Sequence, residues 1–438
     1  MSREAGRRVP FSTGKITQSN TAPLFVPDDP ALVENPYPVY ARLRRDAPVL
    51  HVPAQDMWLV SRHEDALRVL RDPATFSSAV GMSPDFAAGT STTSTASTST
   101  TSTTGMGYRF GGPDVRVLIS MDPPDHLVFR RAVAGLFGPS SVAAVRDRVE
   151  ALAQECVKDL LRHSASGQAD FFAHVAEPLP VLVLADLFGV PPQMRHEFLE
   201  WASIMASDLG QSKEQADDVG RGMAMFRYFA SELRKASELG EAGHSQRRTL
   251  FTAVAAARGQ GPTDRELLAF CAFLLAAGLE TTTNLLTNLL SALFAFPDVH
   301  KRLRAEPALI EDAVEEILRY DTSVQGLWRG TTGPVELAGQ RIPANARIMV
   351  LFGSANRDER RFTEPDRFLL GREGNDHLGF SAGPHYCLGA RLARLEVAAA
   401  TRALLAATEW IDPAGDPVRL ASVVLRGLIR QPVHVRPR

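Results

Sequence analysis

A long apolar helix, predicted for residues 264–296, constrains the fold of this chain more than any other feature. Thr263-Asp264-Arg265-Glu266 matches a capping box, in which the threonine and glutamate side chains bind the first free amides of a helix. The apolar run that follows ends at Phe296, just before Pro297. At roughly 1.5 Å per residue this helix is about 50 Å long, enough to cross a whole molecule. We therefore expect a central, buried helix.

Composition excludes several classes of protein. The 438 residues are 45% hydrophobic and 22% charged, which is typical of a globular protein with a large core. A formal net charge of −2 excludes a strongly basic nucleic-acid binder. The cysteines, Cys156, Cys271 and Cys387, lie too far apart for a disulfide scaffold or for the paired spacings of zinc and ferredoxin-type sites. Length alone allows about three domains.

The remaining patterns predict a mainly α fold with small β-sheets. A short helix is expected to start with Asn35-Pro36-Tyr37-Pro38 and to end at Arg45, and strand-like stretches occur at Val49–Val52 and Met57–Val60. Helical periodicity dominates residues 141–296, a β-rich stretch covers 335–352, and a last hairpin is predicted within 423–435. Residues 1–20 are polar and charged without an apolar stretch, so we expect a flexible tail, no membrane anchor and a cytoplasmic protein.

Residues 90–104 consist of serine and threonine except for Ala96. Such a segment cannot bury enough apolar surface to offset the entropy of ordering, so we expect a loop. A surface linker and a specific binding role both remain open for it. The adjacent Gly105-Met106-Gly107 follows no predicted strand and lacks the lysine of a phosphate-binding loop, which excludes a nucleotide site.

The stretch from Phe380 to Gly389 delivers Cys387 in a glycine- and proline-containing loop, directly before the predicted helix 390–408. Free amides and the positive end of the dipole at a helix N-terminus stabilise a thiolate, which can be a nucleophile or a soft metal ligand. Gly383 and Gly389 allow the backbone to approach a flat cofactor closely. Taken alone, the pattern also fits a buried free thiol.

The centre of the long helix reads Ala277-Gly278-Leu279-Glu280-Thr281-Thr282-Thr283. Glycine and β-branched residues are poor helix formers, so the segment predicts a functional kink at which a threonine hydroxyl takes over a backbone carbonyl. An exposed polar helix face would give the same pattern.

Five positions of the cysteine loop together resemble the haem-binding signature of the cytochrome P-450 family: Phe380, Gly383, His385, Cys387 and Gly389. The resemblance implies a haem b whose iron takes the thiolate of Cys387 as its axial ligand. It also implies that Phe380 packs beside the sulfur and that His385 binds a haem propionate. Ser381 stands where relatives often have glycine.

Further segments resemble the same family in order along the chain. Glu280 and Thr281 match its acid–alcohol pair, which implies a relay that delivers protons to dioxygen. His126, Arg130 and Arg329 match its propionate-binding positions, and each of them alone is compatible with a surface residue. Glu316 and Arg319, otherwise a surface ion pair, imply a buried structural network with Arg367. Asn345 replaces a frequent glycine and tolerates the same left-handed turn.

The resemblance implies a single haem-thiolate domain over residues 21–438 and places the Ser/Thr-rich loop in or beside a substrate lid. Candidate substrate-lining residues are Phe86, Met106, Tyr108, Phe110, Leu274, Ala277, Gln325, Gly326, Leu327, Leu425 and Leu428. The implied partners are O2, a small organic substrate, and a ferredoxin with its reductase, docking near exposed arginines such as Arg391 and Arg394.

Three functions remain open from the sequence. The first is a monooxygenase that inserts one oxygen atom of O2 into an apolar or secondary-metabolite-like substrate. The second is a peroxide-driven haem oxidase on the same fold, which the intact Glu280–Thr281 pair disfavours. The third is a haem sensor or carrier without catalytic activity, which a complete proton relay also disfavours.

Overall fold

The computed structural model describes residues 24–27, 29–81, 115–164, 169–207, 215–238 and 248–438. The expected tail and the Ser/Thr-rich segment lie outside these residues. Helices form most of the described chain, as expected. In chain order they are α1 (Pro30–Glu34), α2 (Tyr37–Asp46), α3 (His63–Arg71), α4 (Ser78–Gly81), α5 (Asp125–Ala134), α6 (Pro139–Ala144), α7 (Arg146–Ser164), α8 (Pro178–Phe188), α9 (Arg195–Ser207), α10 (Gln215–Glu238), α11 (Leu250–Ala255), α12 (Asp264–Ala295), α13 (Pro297–Ala305), α14 (Ile310–Tyr320), α15 (Phe352–Ala355) and α16 (Ala390–Ala407).

The strands form small sheets at the periphery of the helices. They are β1 (Val49–Val52), β2 (Met57–Val60), β3 (Phe76–Ser77), β4 (Ala169–Asp170), β5 (Gly326–Thr331), β6 (Val335–Leu337), β7 (Gln340–Ile342), β8 (Arg347–Leu351), β9 (Thr408–Pro413), β10 (Val418–Arg419), β11 (Leu428–Arg430) and β12 (Pro432–Pro437). The largest sheet has the order β1-β2-β8-β5-β3 and is antiparallel except for the β2–β8 pair.

The long helix α12 lies in the core, as the sequence predicts. Its capping box is formed, because the Glu266 amide donates to the Thr263 hydroxyl at 3.2 Å and the Thr263 amide donates to Glu266 Oε2 at 2.9 Å. Its length and hydropathy would suit a membrane span, but 67% of its most apolar window is buried within the molecule. Helices α8, α14 and α16 pack against it within one large apolar cluster, so α12 is a core helix.

The predicted hairpin within 423–435 is wrong. Strand β11 pairs with β10, whereas β12 pairs with β9 and β4. Only Gln431 separates β11 from β12, and a hairpin needs a connection of at least about two residues. The two strands therefore join different sheets.

Candidate haem site

Cys387 lies in a tight loop between a 3-10 turn at Gly383–His385 and the start of α16. Its amide donates to the Phe380 carbonyl at 2.9 Å, which closes the loop. Gly383 has φ +67°, and a Cβ there would lie 2.3 Å from the Leu70 carbonyl oxygen, so only glycine fits. The loop therefore holds the cysteine on a backbone fixed against α3.

The thiol of Cys387 is less acidic than its position suggests. Burial raises its pKa, and this outweighs the hydrogen bond from Gly389 and the positive charges of Arg130 and Arg394, which lower it. Cys387 precedes the helix N-cap, Gly389, by two residues, so the helix end alone does not secure a thiolate. A coordinated metal ion would deprotonate the thiol outright, which makes this cysteine suited to a ligand rather than to a free nucleophile.

Phe380 and Gly389 shape the surroundings of the cysteine. Phe380 is buried, and the Arg394 guanidinium lies 4.6 Å from the centre of its ring. A Cβ added to Gly389 would meet nothing within 4 Å. There is thus open space over the backbone beside Cys387, as a flat cofactor requires.

Basic side chains from separate elements converge near this loop: His126 and Arg130 from α5, Arg329 from β5, and His385 from the cysteine loop. The rings of His126 and His385 have centroids 4.4 Å apart. Arg130 donates to the Tyr386 carbonyl at 2.8 Å, and Arg329 donates to the Trp328 carbonyl at 2.7 Å. We call these four residues the cation cluster.

Burial shifts the pKa values of the cation cluster downwards, and the negative charge of Asp122 opposes this for His126 and Arg329. Burial lowers the pKa of His126 to about 4, and Arg130 adds to this effect. Burial also lowers the pKa of His385 to about 2, followed by the charge of Arg329. Burial lowers the pKa of Arg329 to about 10.

Three nitrogens of the cation cluster are buried without a hydrogen-bond partner in the described structure: both ring nitrogens of His126 and one terminal nitrogen of Arg329. Buried donors without partners are costly, so these groups are set for a ligand that carries negative charge. The two propionates of haem supply that charge. The residues present therefore fit a haem whose iron would be bound by Cys387.

The resemblance implies that the centre of α12 also lines the site. Ala277 is exposed although it lies in the middle of a buried helix, and Glu280 and Thr281 are partly exposed. The Thr281 hydroxyl donates to the Ala277 carbonyl at 2.9 Å. The predicted kink is not seen as a break, because α12 is α-helical from Asp264 to Ala295. The bond from a threonine hydroxyl to a backbone carbonyl, which the sequence predicts, is present within the continuous helix.

The substrate-lining predictions divide into three groups. Ala277, Leu327 and Leu425 reach accessible space, and Leu327 shares its face of β5 with Arg329; Leu274 is 8% exposed. Gln325, Gly326 and Leu428 are buried and do not reach accessible space in the described structure, which does not support them as lining residues. The Gln325 side chain donates to the Thr322 carbonyl at 2.8 Å, and a Cβ on Gly326 would meet the Val350 carbonyl. Phe86, Met106, Tyr108 and Phe110 lie outside the described residues.

The ion pair between Glu316 and Arg319 is completely buried, with two contacts at 2.8 and 2.9 Å. Arg367 was expected to complete the network, but its side chain is 63% exposed and pairs with Glu364. It contributes only its carbonyl, to which Arg319 donates at 2.9 Å. The second arginine on Glu316 is Arg372, at 3.0 Å and 5% exposed. The sequence carries no local signal for Arg372, because the contact depends on the path of the intervening loop.

Arg391 is exposed at the start of α16, as expected for a docking cation, but Arg394 is not available. Its guanidinium bonds both carboxylate oxygens of Glu315, one of them at 2.9 Å, and covers Phe380. A cleft of about 1010 Å³ adjoins the cysteine loop at Tyr386 and is lined by further arginines, among them Arg71 and Arg361.

One cluster of possible metal ligands lies outside the expected site and was not predicted. Asp159, His163 and His174 bring three ligand atoms within 4.8 Å of one another. The two imidazole rings are stacked 4.0 Å apart, and the Asp159 carboxylate already binds His174 and Arg162, each at 2.8 Å. These contacts account for the cluster as a hydrogen-bonded stack.

Comparisons with known proteins agree with this geometry. The family model described as cytochrome P450 (written here P-450) matches residues 99–432. Cytochrome P-450 107B1 of Saccharopolyspora erythraea is 33% identical over 93% of this chain and 98% of its own length. Vitamin D(3) 25-hydroxylase of Pseudonocardia autotrophica is 33% identical over 92% and 95%.

Among solved structures, cytochrome P-450 CYP109Q5 from Chondromyces apiculatus superimposes with a TM-score of 0.77 at 31% identity, over 94% of this chain and 98% of the other. The cysteine loop and the cation cluster both lie within the residues that the family model matches. The chain belongs to the cytochrome P-450 family, whose members are haem-thiolate monooxygenases.

Proposed function

We propose that this protein is a monooxygenase that inserts one oxygen atom of O2 into an apolar organic substrate, with electrons from a separate protein. One observation carries the proposal: a single cysteine lies beside a buried cation cluster whose donors lack partners, which fits haem and its two propionates. Cys387 would hold the iron, and His126, Arg130, Arg329 and His385 would bind the propionates. Haem bound in this way activates O2 for insertion into a C–H bond.

Glu280 and Thr281 are proposed to move protons at the part of α12 where Ala277 is exposed. The Thr281 hydroxyl donates a hydrogen bond to the Ala277 carbonyl, so its oxygen is left to accept a hydrogen bond from a water molecule. Glu280 is partly exposed and can exchange protons with water. Together they provide an acid and a positioned acceptor next to the exposed Ala277.

An apolar substrate is supported by the accessible side chains nearby, because Ala277, Leu327 and Leu425 carry no polar groups. One relative is named vitamin D(3) 25-hydroxylase, which is consistent with a large apolar molecule as the substrate. A secondary metabolite of that character is our proposed class. A cytoplasmic location is proposed together with it.

A ferredoxin, supplied with electrons by its reductase, is our proposed electron donor. Arg391 is exposed close to Cys387, and Arg131 is exposed beside Arg130, which touches the cysteine loop. Opposite charges speed encounter with an acidic partner. Arg391→Glu should slow reduction and weaken its salt dependence, whereas Arg227→Glu, on α10, should leave both unchanged. Equal reduction rates in stopped-flow absorbance would contradict this docking site.

The absorption spectrum of the ferrous–CO complex tests the central proposal. We expect a red-shifted Soret band in the wild type that is lost in Cys387→Ala, because the thiolate ligand is removed. Cys156→Ala is the matched control, since Cys156 is a buried core thiol whose pKa burial raises to about 12. An imidazole-type spectrum in the wild type would refute the proposal.

The variant Thr281→Ala distinguishes the proposed monooxygenase from the alternative, a peroxide-driven oxidase. A monooxygenase should lose most turnover with O2 and redox partners in this variant, and Thr281→Ser should retain it because the hydroxyl remains. Turnover with peroxide should change little. Wild-type turnover with peroxide but none with O2 and redox partners would favour the alternative, and haem binding without any turnover would favour a sensor or carrier.

A further inference from the structure

Asp122, in the turn before α5, makes contacts that the proposed mechanism does not use. Its Oδ1 accepts the Ser78 amide at 2.8 Å. Its Oδ2 accepts the Ser77 hydroxyl and, at 3.4 Å, the Ala79 amide. A single carboxylate therefore holds three consecutive residues where β3 passes into α4.

The segment that Asp122 holds packs directly on the strand that carries Arg329. Strand β3 pairs with β5, with Ser77 opposite Gly330. A Cβ added to Gly81 would lie 2.3 Å from the Arg329 carbonyl carbon, and one added to Gly330 would lie 2.4 Å from a Val80 methyl group. The two backbones are in contact with no room for a side chain between them. The position of the segment thus determines the position of Arg329.

The same carboxylate reaches the other members of the cation cluster. The Ser78 hydroxyl lies 3.0 Å from His385 Nε2, so Asp122 is linked to His385 through Ser78. Burial lowers the pKa of both His126 and Arg329, and the negative charge of Asp122 opposes the shift in each. Asp122 therefore acts on three of the four residues of the cation cluster. It reaches His385 through Ser78, and its charge raises the pKa of His126 and Arg329.

We propose that Asp122 is a positioning residue for haem, which orients His385 through Ser78 and holds Arg329 in place through the packed segment where β3 passes into α4 and by its negative charge. Before haem binds, Arg329 is a buried cation, and the negative charge of Asp122 offsets part of the cost of burying it. After haem binds, Asp122 keeps His385 and Arg329 in the same orientation. This inference rests on haem being the group bound at the site.

Replacing Asp122 should weaken the binding of haem. Asp122→Ala removes the charge and all three hydrogen bonds, whereas Asp122→Asn retains one acceptor oxygen for the Ser78 amide. We expect haem transfer to an excess of apomyoglobin to be about 10- to 100-fold faster in Asp122→Ala, with Asp122→Asn between it and the wild type. Asp125→Ala is the matched control, because Asp125 is exposed and pairs with Arg116.

Ser78→Ala tests the link to His385 separately, since it removes the hydroxyl and leaves the amide bond to Asp122. We expect several-fold faster haem transfer, and less than additive effects when it is combined with Asp122→Asn, because both act on His385. A purely structural role would lower the melting temperature and leave the transfer rate per folded protein unchanged, which would overturn the proposal.

The outcomes separate this inference from the proposed function. A wild type that takes up no haem would refute the proposed function. A wild type that holds haem, with transfer rates unchanged in Asp122→Ala and Ser78→Ala, would refute the role of Asp122 alone. If Asp122→Ala does not fold, the transfer rate of Ser78→Ala decides the question.

Discussion

Ser381, in the cysteine loop, adopts a backbone conformation that L-residues rarely take. Its φ is +61°, in the left-handed region, and its hydroxyl is buried without a hydrogen-bond partner in the described structure. Asn345 has nearly the same backbone, with φ +58°. The left-handed conformation costs a residue with a Cβ about 1–2 kcal/mol, and less for asparagine, whose side chain tolerates it. Ser381 therefore reduces the stability of the loop that carries the metal ligand.

Ser381→Gly should raise the free energy of unfolding by about 1 kcal/mol, because the strain and the unpaired hydroxyl disappear together. Urea unfolding followed by circular dichroism measures this change. Asn345→Gly is the matched control and should change the free energy by less than about 0.5 kcal/mol. Lower stability in Ser381→Gly would mean that the serine makes a favourable contact that offsets its backbone strain.

At the level of elements, α14 is joined to the loop before the cysteine by one buried acid. Glu316 binds Arg319 on its own helix, and it accepts from Arg372 and from the Leu369 amide across the loop. A buried carboxylate needs all of these donors, because none can be replaced by water. The network therefore fixes the segment that leads to Phe380.

Arg372→Ala should lower the free energy of unfolding by about 1–3 kcal/mol, because Glu316 would lose a buried partner. Arg367→Ala should change it by no more than about 0.5 kcal/mol, since that side chain is 63% exposed. Denaturant unfolding of the two variants in parallel makes the comparison. Equal losses of unfolding free energy in the two variants would mean that the Arg367 side chain contributes to the network as much as Arg372 does.

Elements with local signals were predictable, and those that depend on long-range contacts were not. The capping box and apolar run of α12, and the strands β1 and β2, follow from neighbouring residues, and the structure confirms them. The partners of a strand do not follow from neighbouring residues, because β12 pairs with β9 and β4, which are separate segments of the chain. The roles of Arg372 and Asp122 could not be predicted for the same reason, because their partners lie far away in sequence. The position of Gln325 in the sequence does not reveal that its side chain folds back onto the Thr322 carbonyl.

At the scale of the whole molecule, the proposed site gathers segments from most of the chain. His126, Glu280, Arg329 and Cys387 belong to four separate elements, so the site exists only when they have packed together. Haem would then join these elements by its charge as well as by its metal. The folding and the acid–base behaviour of the protein should therefore depend on whether haem is bound.

The haem-free protein should lose stability as the pH falls from 7 to 5, and His126 should account for part of the loss. Its pKa is lowered from 6.5 to about 4 by burial, so below pH 6.5 the unfolded chain binds a proton that the folded one refuses. The loss at pH 5 is about 2 kcal/mol for this residue. Propionates bound to the cation cluster would raise the pKa again, so haem should reduce the pH dependence.

Urea unfolding at pH 7 and pH 5, with and without haem, measures the effect. In the haem-free protein, His126→Gln should be less sensitive to acid than the wild type, because glutamine has no proton to gain. His196→Gln, with a side chain that is 83% exposed, should behave like the wild type. If haem left the pH dependence unchanged, or if the two variants responded alike, the propionates would not bind next to His126, and the cation cluster would need another explanation.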